Sequence, residues 1–304
     1  MNNNLKGILS VAIGSASYGI LATFVQLANN NGYGTAGLAF SQYLFGASVL
    51  TILSFLLRNK SRKKGITKPT SKYPRLKLMF FGSALGLTSS FYYLSIQYIP
   101  VSVGIILLMQ TIWMGVVLEF FIARKLVNKV KVIGAMVAIV GTIFAAKIFE
   151  SDIDIDYRGV GYGLLAALSY TAAMYASNRV SLELPNIVRS KYLIYGAFVV
   201  VILFWNVDIL EAFHWELFLK WGAFLGFFGT ILPPILFNTG FPIIGTALGG
   251  IVAALEIPVS VFSAFLLLGE KVSRLQWIGI FIILLAVTLI NWQELRVNKI
   301  KNTE

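Results

Sequence analysis

One acidic side chain lies deep inside a long apolar stretch of the sequence. Glu256 occurs within Ala254–Pro258, about thirteen residues into an apolar run that begins near residue 243. An acid inside a membrane span is costly and marks a functional site by default. Two kinds of chemistry fit this position: a carboxyl group that takes up and releases a proton, or a counter-charge for a cationic solute. The structural alternative is a protonated Glu256 that donates to a backbone carbonyl freed by Pro258.

Other polar and aromatic residues of the apolar stretches are candidates to bind a solute beside Glu256. A Gln amide can hold a carboxylate or an amide, a Trp ring can stack on aromatic or cationic groups, and Tyr hydroxyls supply hydrogen bonds. Lipid contact or packing is the alternative role for the Trp. The candidates for substrate binding are Gln110, Trp113, Tyr18, Tyr170, Tyr92 and Asn238.

Prolines are concentrated in the same part of the chain as Glu256. Interrupted helices are tolerated inside a membrane where they line a cavity or are covered by protein, and they point to binding sites in transporters. We therefore expect a helix break or gate at Pro233, Pro234 and Pro258. Asn178 is expected to act in gating or capping, because it lies near a cytoplasmic helix end. Glu119, the other acid in an apolar stretch, is expected to reach the nearby interface.

The composition excludes several classes of protein. The chain has 304 residues, of which 57% are hydrophobic and only 12% are charged, whereas globular chains carry about 25% charged residues. This argues against a soluble enzyme or a nucleic-acid-binding protein. The sequence has no Cys and one His, which leaves no disulfide, zinc or multi-His site, and we expect no metal and no cofactor. An intramembrane enzyme would need a catalytic pair that the apolar stretches lack.

The apolar stretches predict ten transmembrane helices, since each span needs about 20 apolar residues. With both termini in the cytoplasm, most of the 25 Lys and Arg residues fall in cytoplasmic segments, as the positive-inside rule requires. The net charge of +12 therefore indicates orientation in the cytoplasmic membrane and no nucleic-acid partner. The predicted spans are 7–27, 37–57, 76–97, 100–122, 131–149, 159–178, 191–206, 217–238, 243–268 and 277–294.

The two halves of the chain repeat each other, at a period of about 145 to 152 residues. Residues 1–150 and 151–304 are accordingly predicted to form two five-helix repeats. Because five is odd, the second repeat enters the membrane from the opposite side, and such inverted repeats place a binding site at the midplane between them. In this register Thr111 corresponds to Glu256. The matching pairs include Gly7 and Gly159, Tyr18 and Tyr170, Ser41 and Ser190, Gly82 and Gly222, and Gly86 and Gly226.

These features resemble the drug/metabolite transporter superfamily, specifically its ten-helix EamA-type members. The resemblance rests on the two five-helix halves, on Gly7 and Gly159, and on the closing pattern Leu268–Lys271. The first half departs from the usual pattern, with Arg124 and Lys125 where Gly-Glu is common. The resemblance implies a basket of ten helices with a central cavity lined mainly by helices one, three, four, six, eight and nine. It also implies transport of amino acids or other small metabolites.

The expected function is secondary transport of a small organic metabolite by alternating access. An amino acid or a similar amphipathic compound is expected, in the direction of export. The alternatives are a non-transporting receptor or scaffold, and a carrier of another class such as nucleotide-sugars, for which buried cations would be expected. The expected partners are the small-molecule substrate and the lipid bilayer. The protein is expected to be a monomer, or a homodimer through helices five and ten.

Overall fold

The structure, a computed structural model, describes residues 3–57, 73–123, 129–145 and 156–301. All regular elements in these ranges are helical. In the first half they are α1 Asn3–Asn30, α2 Thr35–Leu56, α3 Pro74–Tyr98, α4 Val101–Leu108, α5 Thr111–Ala123 and α6 Lys129–Ala145. In the second half they are α7 Tyr157–Arg179, α8 Asn186–Trp205, α9 Asp208–Ala212, α10 over residues 215–253, α11 Glu256–Leu268 and α12 Arg274–Lys301.

Helix α10 is irregular along its first half. Two wide π-helical stretches, Phe218–Gly222 and Gly226–Ile231, interrupt it before it continues as an α-helix over Leu232–Ala253. Pro242 lies inside this last part. The boundary expected between residues 238 and 243 is therefore wrong: the helix continues through Pro242, because a proline can bend a helix without ending it.

Two predicted spans are interrupted near their middle. Met109 and Gln110 separate α4 from α5, and Ala254 and Leu255 separate α10 from α11. Span seven differs in another way, because α8 begins at Asn186, five residues before the predicted start.

Within the described residues, five helical segments are long and apolar enough to cross a membrane. They are Asn3–Asn30, Thr35–Leu56, Val101–Leu118, Asn186–Trp205 and Trp215–Ile244, and the shorter apolar helices Val132–Ala145, Glu256–Leu268 and Arg274–Leu289 accompany them. The apolar helices agree with a membrane protein, and the count of ten spans stays a prediction. Most of the basic segment Arg58–Lys77, which is expected to be cytoplasmic, and the pair Arg124–Lys125 lie outside the described residues.

Helix α3 lies against α8 with glycines at the closest points. A Cβ atom on Gly82 or Gly86 would collide with the backbone carbonyls of Leu193 and Ala197, respectively, and one on Gly196 would collide with the backbone of Met79. Small residues allow such close contact between helices in a membrane, where dispersion replaces the hydrophobic effect as the main attraction.

The same contact occurs between the repeat-related helices α10 and α2. A Cβ atom on Gly222 would lie 2.7 Å from the Cβ atom of Ser41, and one on Gly226 would lie 2.7 Å from the ring of Phe45. Each half of the chain thus places its glycine-bearing helix on the second helix of the other half.

The first helices of the two halves also make equivalent contacts. Gly7 of α1 packs on Ile243 of α10, and Gly159 of α7 packs on Ile99 before α4. The Ser95 hydroxyl donates to the Gly159 carbonyl over 2.7 Å. These contacts fix the start of each first helix against a helix of the opposite half.

Helices α6 and α12, which correspond to predicted spans five and ten, pack on each other within the chain. A Cβ atom on Gly141 would lie 3.0 Å from the carbonyl oxygen of Gly279. Large apolar side chains such as Met136 and Phe281 remain exposed on this pair. A homodimer through helices five and ten, which stays a prediction, would use these outer faces.

The glycines of the α3–α8 contact give the first prediction. Gly82→Ala is expected to lower the free energy of unfolding by about 1–3 kcal/mol, because the added methyl group forces two backbones apart. Thermal unfolding of the purified protein in detergent measures this.

Gly115→Ala in α5 is the matched control, since nothing lies within 4 Å of a Cβ atom at that position. It should leave the midpoint unchanged or raise it, because Ala is the better helix former by roughly 1 kcal/mol. Equal midpoints for the two variants would contradict the tight α3–α8 contact.

Candidate functional site

A small cavity lies where helices of both halves meet. Its volume is about 40 Å³, which is room for water, since one water needs roughly 10–15 Å³ of such space. Besides the six helices expected from the family resemblance, α2 and α8 contribute to it. The lining residues are Tyr18, Leu21, Tyr43, Leu85, Thr88, Ser89, Tyr92, Tyr93, Leu108, Tyr170, Ile194, Gly229 and Glu256.

Glu256 is the first residue of α11, directly after the interruption at Ala254 and Leu255. Its side chain is buried, with 5% exposed, and the Tyr170 hydroxyl donates to its Oε2 atom over 3.3 Å. The positive end of the helix dipole favours an acid in this first turn. Among the residues that the structure describes along the cavity wall, Glu256 carries the acidic group.

Pro258 is the third residue of α11. A proline in the first turn of a helix costs little, because the missing N–H would have had no helical partner there. Pro258 therefore fits the start of α11 after the break. Helix α1 approaches this start closely, with Gly19 positioned so that a Cβ atom would lie 2.8 Å from the Glu256 carbonyl oxygen.

The structure brings three of the predicted tyrosines to the cavity. Tyr18, Tyr92 and Tyr170 all line it, so the repeat-related pair Tyr18 and Tyr170 shares one site. The Tyr92 hydroxyl and the nearby Ser260 hydroxyl are buried and make no hydrogen bond of good geometry to the described residues.

Two further tyrosines lie in the cavity wall. The Tyr93 hydroxyl donates to Gln42 Oε1 over 2.6 Å, and Tyr93 is a candidate from the sequence for the same reason as its neighbour Tyr92. The Tyr43 hydroxyl lies 2.7 Å from the Ser89 hydroxyl and donates to the Leu85 carbonyl. Tyr43 was not predicted as a binding residue, although its segment is repeated in the second half of the sequence.

The prolines Pro233 and Pro234 follow the second π-helical stretch and occupy the first turn of the regular part of α10. In the π-helical turns next to these prolines, backbone carbonyls can accept hydrogen bonds from other helices. The Ser17 hydroxyl of α1 donates to the Phe228 carbonyl over 2.5 Å. Such π-helical segments occur often at functional sites.

Aromatic side chains pack next to the cavity on the side expected to face the cytoplasm. The ring of Tyr18 packs edge-on against Phe237, with 5.6 Å between centroids, and Phe237 packs on Phe241. Both phenylalanines are buried. The predicted residue Asn238 lies beside this layer and donates from its Nδ2 atom to Ser190 Oγ over 2.8 Å.

A carboxylate joins the end of α11 to the start of α4. Glu270 follows the left-handed turn at Gly269, and its two carboxylate oxygens accept from the backbone N–H groups of Val101 and Ser102 at 2.7 and 3.0 Å. The N–H groups at a helix start need such a partner. The segment after α11 thereby holds the start of α4.

Gln110 and Trp113 are not among the residues that line the cavity. The Gln110 Nε2 atom donates to Thr142 of α6 over 2.7 Å and to the Ile106 carbonyl, and its Oε1 atom accepts from Trp113 Nε1. The pair therefore joins the interruption after α4 to α6. The side chains of Asn178 and Glu119 lie outside the described part of the structure.

Arg189 lies in the first turn of α8 with 1% of its surface exposed. It is in electrostatic contact with Glu183 of the preceding loop. This turn is therefore covered by protein.

Comparison with known proteins follows the two halves of this architecture. The model of the EamA-like transporter family matches residues 5–146 and 157–292. The chain belongs to the EamA-like transporter family. It is therefore a multi-pass membrane protein that acts as a transporter and not as an enzyme.

Individual relatives are more distant. The chain is 24% identical to the threonine/homoserine exporter RhtA of Escherichia coli over 221 residues, which cover 71% of each protein. It is 24% identical to the exporter of the same name from Salmonella typhimurium over 220 residues, again 71% of each. A solved crystal structure matches 92% of this chain and 97% of its own with a TM-score of 0.65 at 15% identity, which shows a shared fold.

The hydrogen bond from the Ser17 hydroxyl of α1 to the Phe228 carbonyl of α10 gives a prediction for the site. Ser17→Ala is expected to lower the free energy of unfolding by about 1–3 kcal/mol, because the partly buried Phe228 carbonyl loses its donor. Denaturation of the purified protein measures the change.

Ser15→Ala is the control on the same helix, since the Ser15 hydroxyl donates to the Val11 carbonyl one turn earlier. That carbonyl also has a helical N–H partner, so no loss of stability is expected. A loss equal to that of Ser17→Ala would contradict the role of the Ser17 bond.

Proposed function

We propose that the protein exports a small amine-bearing metabolite, an amino acid or a similar amphipathic compound, across the cytoplasmic membrane. The observation that carries this proposal is the cavity where helices of the two halves meet, with Glu256 in its wall. The names of the RhtA relatives support both an amino-acid substrate and the direction of export.

Two inverted five-helix repeats, residues 1–150 and 151–304, are part of the proposal. The reciprocal contacts of α3 on α8 and α10 on α2 support a pseudo-two-fold axis between them. The interruptions before Thr111 and Glu256 fall at equivalent points of the repeat. The two matched segments of the family model support the same division. Ten spans with both termini in the cytoplasm follow from this arrangement and from the charges of the loops.

Alternating access is compatible with the small size of this cavity. Tyr18 packs on Phe237 and Phe241 next to it, and the Glu270 contact holds the start of α4. A volume of about 40 Å³ does not admit an amino acid. The substrate must enter when the halves separate on one side, as in other transporters with inverted repeats.

The chemistry of the wall favours a substrate with a cationic group. The described lining residues supply a carboxylate and several hydroxyl groups, and none of them is Lys, Arg or His. A nucleotide-sugar, which carries phosphates, would find no counter-charge there. We propose Glu256 as the substrate counter-charge or proton carrier, Tyr18, Tyr92 and Tyr170 as binding residues, and Gln110, Trp113 and Asn238 as residues that support the wall.

Counterflow in proteoliposomes tests transport directly. Vesicles loaded with unlabelled threonine or homoserine are expected to accumulate the labelled compound through the purified protein, while protein-free vesicles do not. Further amino acids and amphipathic amines extend the same assay to the class. Absence of exchange for every amine would favour the receptor or scaffold alternative.

Glu256 is tested by replacing the carboxyl group with an amide of the same shape. If Glu256 carries a proton, counterflow by the wild type changes with pH and Glu256→Gln makes the rate independent of pH. The variant should fold, because an amide can still accept from the Tyr170 hydroxyl.

Glu216→Gln, at an exposed acid on the side expected to face outward, is the matched control and should keep the pH profile of the wild type. A Glu256→Gln profile that also matches the wild type would leave Glu256 with a structural role.

A further inference from the structure

The two adjacent prolines of α10 remove the helical partners of one backbone carbonyl. In an α-helix the Gly229 carbonyl would accept from residue 233, and in a π-helix it would accept from residue 234. Both residues are proline, which has no N–H group. Gly229 is therefore left without a donor in either helical register.

The neighbouring carbonyls are satisfied in other ways. The Leu232 N–H donates to the Phe227 carbonyl in the π-helical pattern. The Phe228 carbonyl, whose π-helical donor would be Pro233, accepts from the Ser17 hydroxyl. Ser17 of α1 therefore satisfies the Phe228 carbonyl. The next carbonyl, that of Gly229, still needs a hydrogen-bond partner.

Gly229 lies in the wall of the cavity, together with Glu256. The same turn of α1 touches both residues. A Cβ atom on Gly19 would lie 2.8 Å from the Glu256 backbone carbonyl oxygen. The Cβ position of Gly229 lies 2.8 Å from the Leu21 side chain and 2.6 Å from Gln42 Nε2. Gly229 and Glu256 thus lie beside the same turn of α1 and share one cavity wall.

We propose that the Gly229 carbonyl and the Glu256 carboxylate together bind the ammonium group of the substrate. This inference rests on the proposed function and names the atoms that recognise its substrate class. An ammonium group has three N–H donors and one positive charge. Glu256 supplies the counter-charge, the Gly229 carbonyl supplies a second acceptor, and the wall hydroxyls can accept the third hydrogen bond.

The proposal also gives Pro233 and Pro234 a chemical role. They were expected to form a helix break or gate, yet α10 continues past them. Their effect is to keep N–H groups away from the Gly229 carbonyl. A helix without them would use that carbonyl for its own hydrogen bond, and the cavity would lose an acceptor.

Pro233→Ala tests this role because it restores an N–H group that can donate to the Gly229 carbonyl. The assay compares threonine with 2,3-dihydroxybutanoate, in which a hydroxyl group replaces the ammonium group, as competitors in counterflow of labelled threonine. The wild type is expected to prefer threonine. Pro233→Ala should reduce that preference by roughly tenfold or more, as expected for loss of a hydrogen bond to a charged group.

Pro242→Ala in the same helix is the matched control, since Pro242 is exposed and is not among the cavity-lining residues. It should keep the wild-type preference, and the thermal midpoints of both variants establish that they fold. Equal weakening of both competitors by Pro233→Ala would indicate a merely structural effect and would overturn the ammonium site.

A sodium ion would also fit an exposed carbonyl beside a carboxylate, so the thermal midpoint is also measured with sodium chloride and with choline chloride. Stabilisation by sodium that Pro233→Ala abolishes, with the threonine preference unchanged, would overturn the ammonium assignment. Failure of the wild type to exchange any amine would overturn the proposed function and this site together. Exchange by the wild type with an unaltered preference in Pro233→Ala would overturn this site alone.

Discussion

The backbone must satisfy its own polar groups wherever this chain crosses the bilayer, because lipid offers no hydrogen bonds. Regular helix does this without help, so each departure from it needs a partner from another part of the protein. Glu270 supplies that partner for the start of α4, and Ser17 supplies it for Phe228 beside the wide turns of α10. The irregular backbone therefore occurs where helices of the two halves meet, and it ties the halves together there.

Close packing between the halves follows from the same constraint. Helices in a bilayer gain little from hiding apolar surface, so they hold together through contacts that only small residues allow. Gly82 and Gly86 of α3 pack closely against α8. Gly222 and Gly226 of α10 pack in the corresponding way against α2.

The sequence predicted the parts of the site that depend on residue type and depth. Glu256, Tyr18, Tyr92 and Tyr170 could be found because an acid or a repeated tyrosine inside an apolar stretch is rare, and the structure places all four around one cavity. Gln110 does not line the cavity. It lies in the break between α4 and α5, which turns its side chain toward Thr142 of α6. This break contains no proline, so the sequence did not predict it.

Helix register and helix ends were the harder features. The π-helical turns of α10 depend on how Gly226 and Gly229 fit against Gln42 and Leu21 of other helices, and such contacts cannot be read from one segment. The burial of Arg189 in the first turn of α8 likewise depends on packing, which brings this side chain into electrostatic contact with Glu183 of the preceding connection.

The two proposed repeats differ in chemistry at corresponding positions. Thr111 corresponds to Glu256 in the repeat register, and its hydroxyl lies 2.7 Å from that of Thr171, so the first half places no acid there. Glu256 and Gly229 both belong to the second half, whereas most of the cavity hydroxyls belong to the first. Motion of one half against the other would then leave the two strong acceptors in fixed relation while the hydroxyls move past them. A substrate held by its ammonium group would stay with the second half through the cycle, and the change of partners among the first-half tyrosines would decide to which side it is released.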